Sequence, residues 1–157
     1  MAFDFNANEI FQMAIQIEQN GVKFYRNAAA NVQKQEEKDL LLKLADMEVD
    51  HENTFASMKK SLAEDEKAKT IFDPNNETVL YLKSLADTRV FFQKTIDTTS
   101  LKEILKEAIV AEKDSIVFYL GMKELVPEGK GKNRLDAIIK EEMGHIRLLS
   151  KELMAIK

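Results

Sequence analysis

The 157-residue sequence has no cysteine and no tryptophan. Without cysteine there are no disulfides, thiolate nucleophiles, zinc fingers or thiolate-held iron clusters. Proline, with two residues, and glycine, with five, are nearly as scarce. Both interrupt helices, so their scarcity beside abundant Leu, Ala, Glu and Lys points to an all-α chain. Long apolar runs are missing too: none approaches the roughly 20 residues of a membrane span. There is no basic stripe, because 23 Lys and Arg stand against 27 Asp and Glu, for a net charge of −4. That argues against nucleic acid as a partner, since nothing gathers positive charge against phosphates. The opening stretch "MAFDFNANEI" carries an Asp and no Lys or Arg, unlike a secretion signal. The expectation is a soluble cytoplasmic protein forming one domain over residues 1–157.

What the sequence does contain is helical periodicity. Phe11, Ala14, Ile15, Val22 and Tyr25 recur at three- and four-residue steps and define a first long helix. Asn6 with Glu9 fits a capping box at its start. Leu41, Leu44, Phe55, Met58 and Leu62 mark a second, with the turn between the two near Gln33. Pro74 and its neighbouring Asn pair break the pattern within residues 68–78. "TVLYLKSLADTRVFF" then predicts a shorter helix. Ser100 with Glu103 opens the third long helix, whose stripe is Leu105, Ala108, Tyr119 and Met122. "PEGKGK" at 127–132 stops it, and a fourth long helix runs from about Asn133. Four long helices thus form two antiparallel hairpins. The link between them, about 67–100, is long enough to cross from one end of a bundle to the other. That topology is the ferritin-like four-helix bundle with one long crossover carrying an extra short helix.

Each long helix has acid in its apolar stripe. Glu142 and His145 sit among Leu135, Ile138 and Leu149. Glu48 and His51 sit among Leu41, Leu44 and Phe55. Glu18 interrupts the first helix, and Glu112 the third. His51 and His145 are the only histidines, and each follows a Glu by three residues, hence on one helix face. With seventeen Glu in the chain, that coincidence arises by chance about once in a hundred. Glu18 precedes Glu48 by thirty residues, and Glu112 precedes Glu142 by thirty. The midpoints are Gln33 and Pro127, the two turns. Residues equidistant from a hairpin turn face each other, here about 22 Å along each helix. All four carboxylates therefore reach one level of the bundle. "EQNGVKFY" (18–25) also repeats as "EKDSIVFY" (112–119), an offset of 94 that relates the two Glu-x-x-His motifs as well. A pseudo-two-fold axis follows.

Burying one unpaired charge costs several kcal/mol, and neither Lys nor Arg occupies these faces at that level. Two divalent cations, bound by four carboxylates and two imidazoles with two carboxylates bridging, resolve the conflict. That set is the known ligand pattern of di-iron and di-manganese bundles.

On Glu18, Glu48, His51, Glu112, Glu142, His145 and the two Phe-Tyr pairs, nearly the whole chain resembles the ferritin-like di-iron carboxylate superfamily. Within it the rubrerythrin-like branch is the nearest likeness. The resemblance implies two iron ions, with manganese as the alternative. Glu18 and Glu112 would be terminal ligands, Glu48 and Glu142 bridges, and His51 and His145 one ligand for each ion. It implies an oxidoreductase of peroxidase or ferroxidase type acting on hydrogen peroxide or oxygen. Iron binding or storage without turnover, or hydroxylation of an organic substrate, are the alternatives. Two departures stand out. Rubrerythrins carry a four-cysteine rubredoxin-type site, absent here, so a separate electron-donor protein is expected. They also carry a further carboxylate one turn after the third-helix ligand, where this chain has Ser115. The six-residue set is closer to the bacterioferritin type. A homodimer or larger homo-oligomer is the default assembly.

Around this set, Tyr25 and Tyr119 are candidates for hydrogen bonds to ligand carboxylates, for redox-active phenols, or for core aromatics. Gly21 and Ser115, one turn after Glu18 and Glu112, either leave room for a small oxidant or allow close packing. Glu141 reads as a solvated carboxylate, with orientation of a histidine as the alternative. Asp50 and Glu52 read as surface residues.

Overall fold

The three- and four-residue apolar spacing becomes helix wherever the computed structural model describes the chain, over residues 7–64, 77–88, 100–126 and 131–156. Five helices are present: α1 (Ala7–Asn31), α2 (Gln35–Glu64), α3 (Glu77–Thr88), α4 (Leu101–Lys123) and α5 (Lys132–Ala155). Among the described residues there is no strand, and no helix is long and apolar enough to cross a membrane. α1 lies along α2, and α4 along α5. These are the two hairpins of a ferritin-like four-helix bundle. The first turn occupies residues 32–34, centred on Gln33 as the spacing predicts.

Local chemistry sets the helix ends. Ser100 is extended (φ −107°, ψ 113°) and its hydroxyl accepts the Glu103 N–H at 3.4 Å, capping α4. α5 begins after Gly131, whose φ of 117° lies in the left-handed region. A Cβ there would also meet Met58 Cε at 2.6 Å. Gly131→Ala is therefore expected to destabilise the fold by about 1–2 kcal/mol, seen as a lower urea midpoint at unchanged slope. The predicted Asn6 cap, the Pro74 break and the Pro127 midpoint lie outside the described residues. Of the crossover, the described helical part is α3, which packs on α4. Gly121 permits this, because a Cβ would sit 2.9 Å from Leu82 Cδ2 and Tyr81 Cε1.

The core is two apolar slabs. One holds Phe11, Phe55, Met58, Phe118, Tyr119, Leu135 and Ile138. The other holds Tyr25, Leu41, Leu44, Ile104, Leu105 and Leu149. Along every long helix the interrupting Glu or Glu-x-x-His falls between the residues of one slab and those of the other. The polar residues thus form a layer across the middle of the bundle, closed above and below by hydrocarbon.

Candidate metal centre

Each long helix delivers its polar residues inward at this layer. Glu18, Glu48, His51, Glu112, Glu142 and His145 are each no more than 2% exposed. A carboxylate or imidazole so placed loses its water and must be compensated.

The six side chains form two equivalent groups. His51 Nδ1 lies 3.2 Å from Glu48 Oε2, 3.1 Å from Glu142 Oε1 and 3.6 Å from Glu18 Oε2. His145 Nδ1 lies 3.0 Å from Glu142 Oε2, 3.3 Å from Glu112 Oε1 and 3.6 Å from Glu48 Oε1. Glu48 and Glu142 each turn one oxygen toward each histidine. The imidazoles stack, with centroids 5.7 Å apart and planes at 20°. Within each group of four, one ligand atom per residue comes within 4.8 Å of all the others. Glu48 Oε1 and Glu142 Oε2 are buried and make no well-aligned hydrogen bond among the described residues; each has at best a share of the single His145 Nδ1 proton, 3.6 and 3.0 Å away. An orphaned carboxylate oxygen is costly unless a cation meets it. Oxygen and imidazole donors without sulfur suit iron, manganese or zinc. The residues present therefore fit a pair of divalent cations.

The electrostatics carry the same message. Burial and the charges of Glu18, Glu112 and Glu142 raise Glu48 well above the usual carboxylate range. Burial, Glu112 and Glu18 raise Glu142 likewise. Burial alone would lower His145, but hydrogen bonding to Glu112, Glu142 and Glu48 pushes it up to about 12. His51 is also raised, because Glu142, Glu18 and Glu48 outweigh its burial. Burial works to raise Glu112, yet hydrogen bonds with Glu142, His145 and Tyr25 hold it down at about 2. Too much negative charge is directed at one point, and protons balance it when metal does not.

The tyrosines cross over. Tyr25 on α1 donates to Glu112 Oε1 on α4 at 2.6 Å. Tyr119 on α4 donates to Glu18 on α1. Burial and the nearby carboxylates raise both phenols, so they stay protonated donors. Spacing alone suggested a carboxylate partner but not which one. Seven residues of helix rise about 10.5 Å, and each phenol instead reaches the facing helix. Tyr25→Phe or Tyr119→Phe is expected to cost the metal-free protein about 1–3 kcal/mol, measured by urea unfolding, since a buried carboxylate loses its donor.

Other sequence expectations sort as follows. Glu141 is half exposed, yet its Oε2 lies 2.5 Å from His51 Nε2, so it contacts a histidine from the solvent side. Asp50 is exposed. Glu52 is half-buried and accepts from Gln19 Nε2 at 2.8 Å. Gly21 and Ser115 are buried. The Ser115 hydroxyl donates to the Ala111 carbonyl at 3.0 Å, back onto its own helix.

The family profile described as Rubrerythrin matches residues 9–153. The chain belongs to the rubrerythrin family. A solved relative from Thermotoga maritima, described as a candidate ferritin-like diiron-carboxylate protein, superposes with a TM-score of 0.70 at 26% identity. The match covers 97% of each chain. Among curated protein sequences none is similar enough to be matched. As a rubrerythrin-family, diiron-carboxylate-type chain, this protein is expected to bind iron, and its buried Glu/His layer is the candidate site. The cysteine-free sequence holds no rubredoxin-type site.

Proposed function

We propose that Glu18, Glu48, His51 and Glu142 hold one iron ion and that Glu48, Glu112, Glu142 and His145 hold a second. The observation that carries this reading is the division of Glu48 and Glu142, each with one oxygen in either group. Four carboxylates balance two divalent ions, and their hard anionic oxygens favour the ferric state over what neutral donors would allow. The protein is then an oxidoreductase that reduces hydrogen peroxide or oxygen. When bound, the iron pair supplies the electrons for that reduction. The chain's own residues hold and insulate it. Tyr25 and Tyr119 fix Glu112 and Glu18 in place. The two apolar slabs exclude bulk water from the layer. With no thiolate site in the chain, electrons come from a separate donor protein.

A second reading, ferroxidase activity feeding iron storage, is favoured by Ser115. A serine bonded to its own helix supplies no further carboxylate there. One experiment separates the two. Metal-free protein is loaded with Fe(II) under anaerobic conditions, then divided between oxygen and hydrogen peroxide. Faster ferric absorbance with peroxide, at a fixed iron content, supports the peroxidase. Faster oxidation by oxygen with continuing iron uptake supports the ferroxidase. Inertness to both oxidants contradicts an oxidoreductase.

A further inference from the structure

The pseudo-two-fold axis makes His51 and His145 equivalent, but their outer nitrogens are not. His51 Nε2 is 2.5 Å from Glu141 Oε2. His145 Nε2 is buried and has no hydrogen-bond partner among the described residues. The sequence supplies the reason. The offset of 94 pairs Glu141 with Met47, each standing just before a shared carboxylate. A thioether is at best a weak acceptor.

We infer that Glu141 is a positioning residue that makes the two halves of the centre unequal, so that the first cation enters beside His51. This rests on the two-ion reading above. A carboxylate at Nε2 selects the tautomer with its proton on that atom. Nδ1 is then the nitrogen that faces Glu18, Glu48 and Glu142 and gives its lone pair to a cation once its own proton is displaced. The same contact fixes the ring's orientation and makes the imidazole a stronger donor. Loss of such a partner typically weakens metal binding about 10–100-fold. His145 has none of this help. The two Nδ1 atoms meet carboxylates at matching distances, 3.1 and 3.2 Å for His51 and 3.0 and 3.3 Å for His145, so the difference between the halves lies at Nε2. Glu141 is also half exposed, so it links solvent to the buried layer at His51.

The test is a calorimetric titration of the metal-free full chain with Co(II), which fills such sites without reacting with oxygen in the cell. Two steps are expected. Repulsion between the ions splits the steps whatever Glu141 does, so the variants decide. Glu141→Gln should weaken the first step about 10–100-fold and leave the second unchanged. Met47→Glu, which places a carboxylate at the pseudo-symmetric position, should strengthen the second step and leave the first. Circular dichroism of the metal-free variants checks that both fold. Equal weakening of both steps by Glu141→Gln, or no weakening of either, overturns the inference while leaving the two-ion site intact. Absence of any Co(II) binding by the parent chain overturns both.

Discussion

Glu142→Gln, or Glu48→Gln, is expected to take the iron content from about two per chain to well under one, whereas Glu18→Gln or Glu112→Gln leaves about one. The difference follows from sharing. Glu142 and Glu48 each present an oxygen to both histidines. Glu18 and Glu112 each belong to one group. Glutamine keeps the size of the side chain and removes the anionic oxygen, so the change tests charge and not packing. Stability should divide in a matching way. Glu142 and Glu48 are raised well above the usual carboxylate range by burial and by neighbouring carboxylates. The raised direction favours the protonated carboxyl in the metal-free chain, and glutamine resembles a protonated carboxyl. The metal-free variant should then melt within about 1 kcal/mol of the parent. Adding iron should raise the melting temperature of the parent alone. Saturation at a hundredfold excess over Kd is worth about 2.7 kcal/mol. Elemental analysis after gel filtration, with melting curves on the same samples, reads both effects. A Glu142→Gln protein that retains two irons would contradict the assignment.

The second large effect is on pH. Glu48, Glu142, His51 and His145 are all raised. Raising a pKa favours the protonated form, and a metal must displace any proton held on the lone pairs it uses. Binding of the ions is therefore expected to release protons, up to about four for two ions, one from each raised group. The sign is fixed: the metal-free form binds more protons than the loaded form, so affinity rises with pH. Two protons per ion correspond to about a hundredfold in Kd for each pH unit. The rise extends above the range of an ordinary histidine, because the carboxylates around His145 push it up to about 12. An unperturbed histidine would flatten the curve near pH 6.5. Titration with Mn(II) in weak buffer with a pH indicator counts the protons directly. Release of fewer than one proton per ion would mean that the layer is not charged as described.

How far the site could be read from the sequence depended on how far each side chain reaches. Helix period and hairpin arithmetic were enough to bring the six central residues to one layer. Their Cα positions follow from spacing, and short inward reach leaves little freedom. Glu18 and Glu48 meet because both stand fifteen residues from Gln33, where the chain does turn. The two-slab core follows from the same periodicity. The tyrosine partners did not follow, because a long phenol selects between two helices according to bundle geometry. Glu141 is similar. Its sequence neighbours suggest solvent, and its contact with His51 is made across the α2–α5 seam, which no spacing rule encodes. Met47 gained meaning only once that contact was seen. The start of α5 at Lys132 instead of Asn133 is the one-residue uncertainty common to helix ends.

The most direct test of the central claim is crystallographic. Crystals grown from Fe(II)-loaded protein would be measured at the iron absorption edge, and an anomalous difference map calculated. The account predicts two peaks per chain in the polar layer. One lies among Glu18, Glu48, His51 and Glu142, the other among Glu48, Glu112, Glu142 and His145, with Glu48 and Glu142 touching both. A map with no peak in that layer, from protein that is folded and exposed to saturating iron, would contradict it.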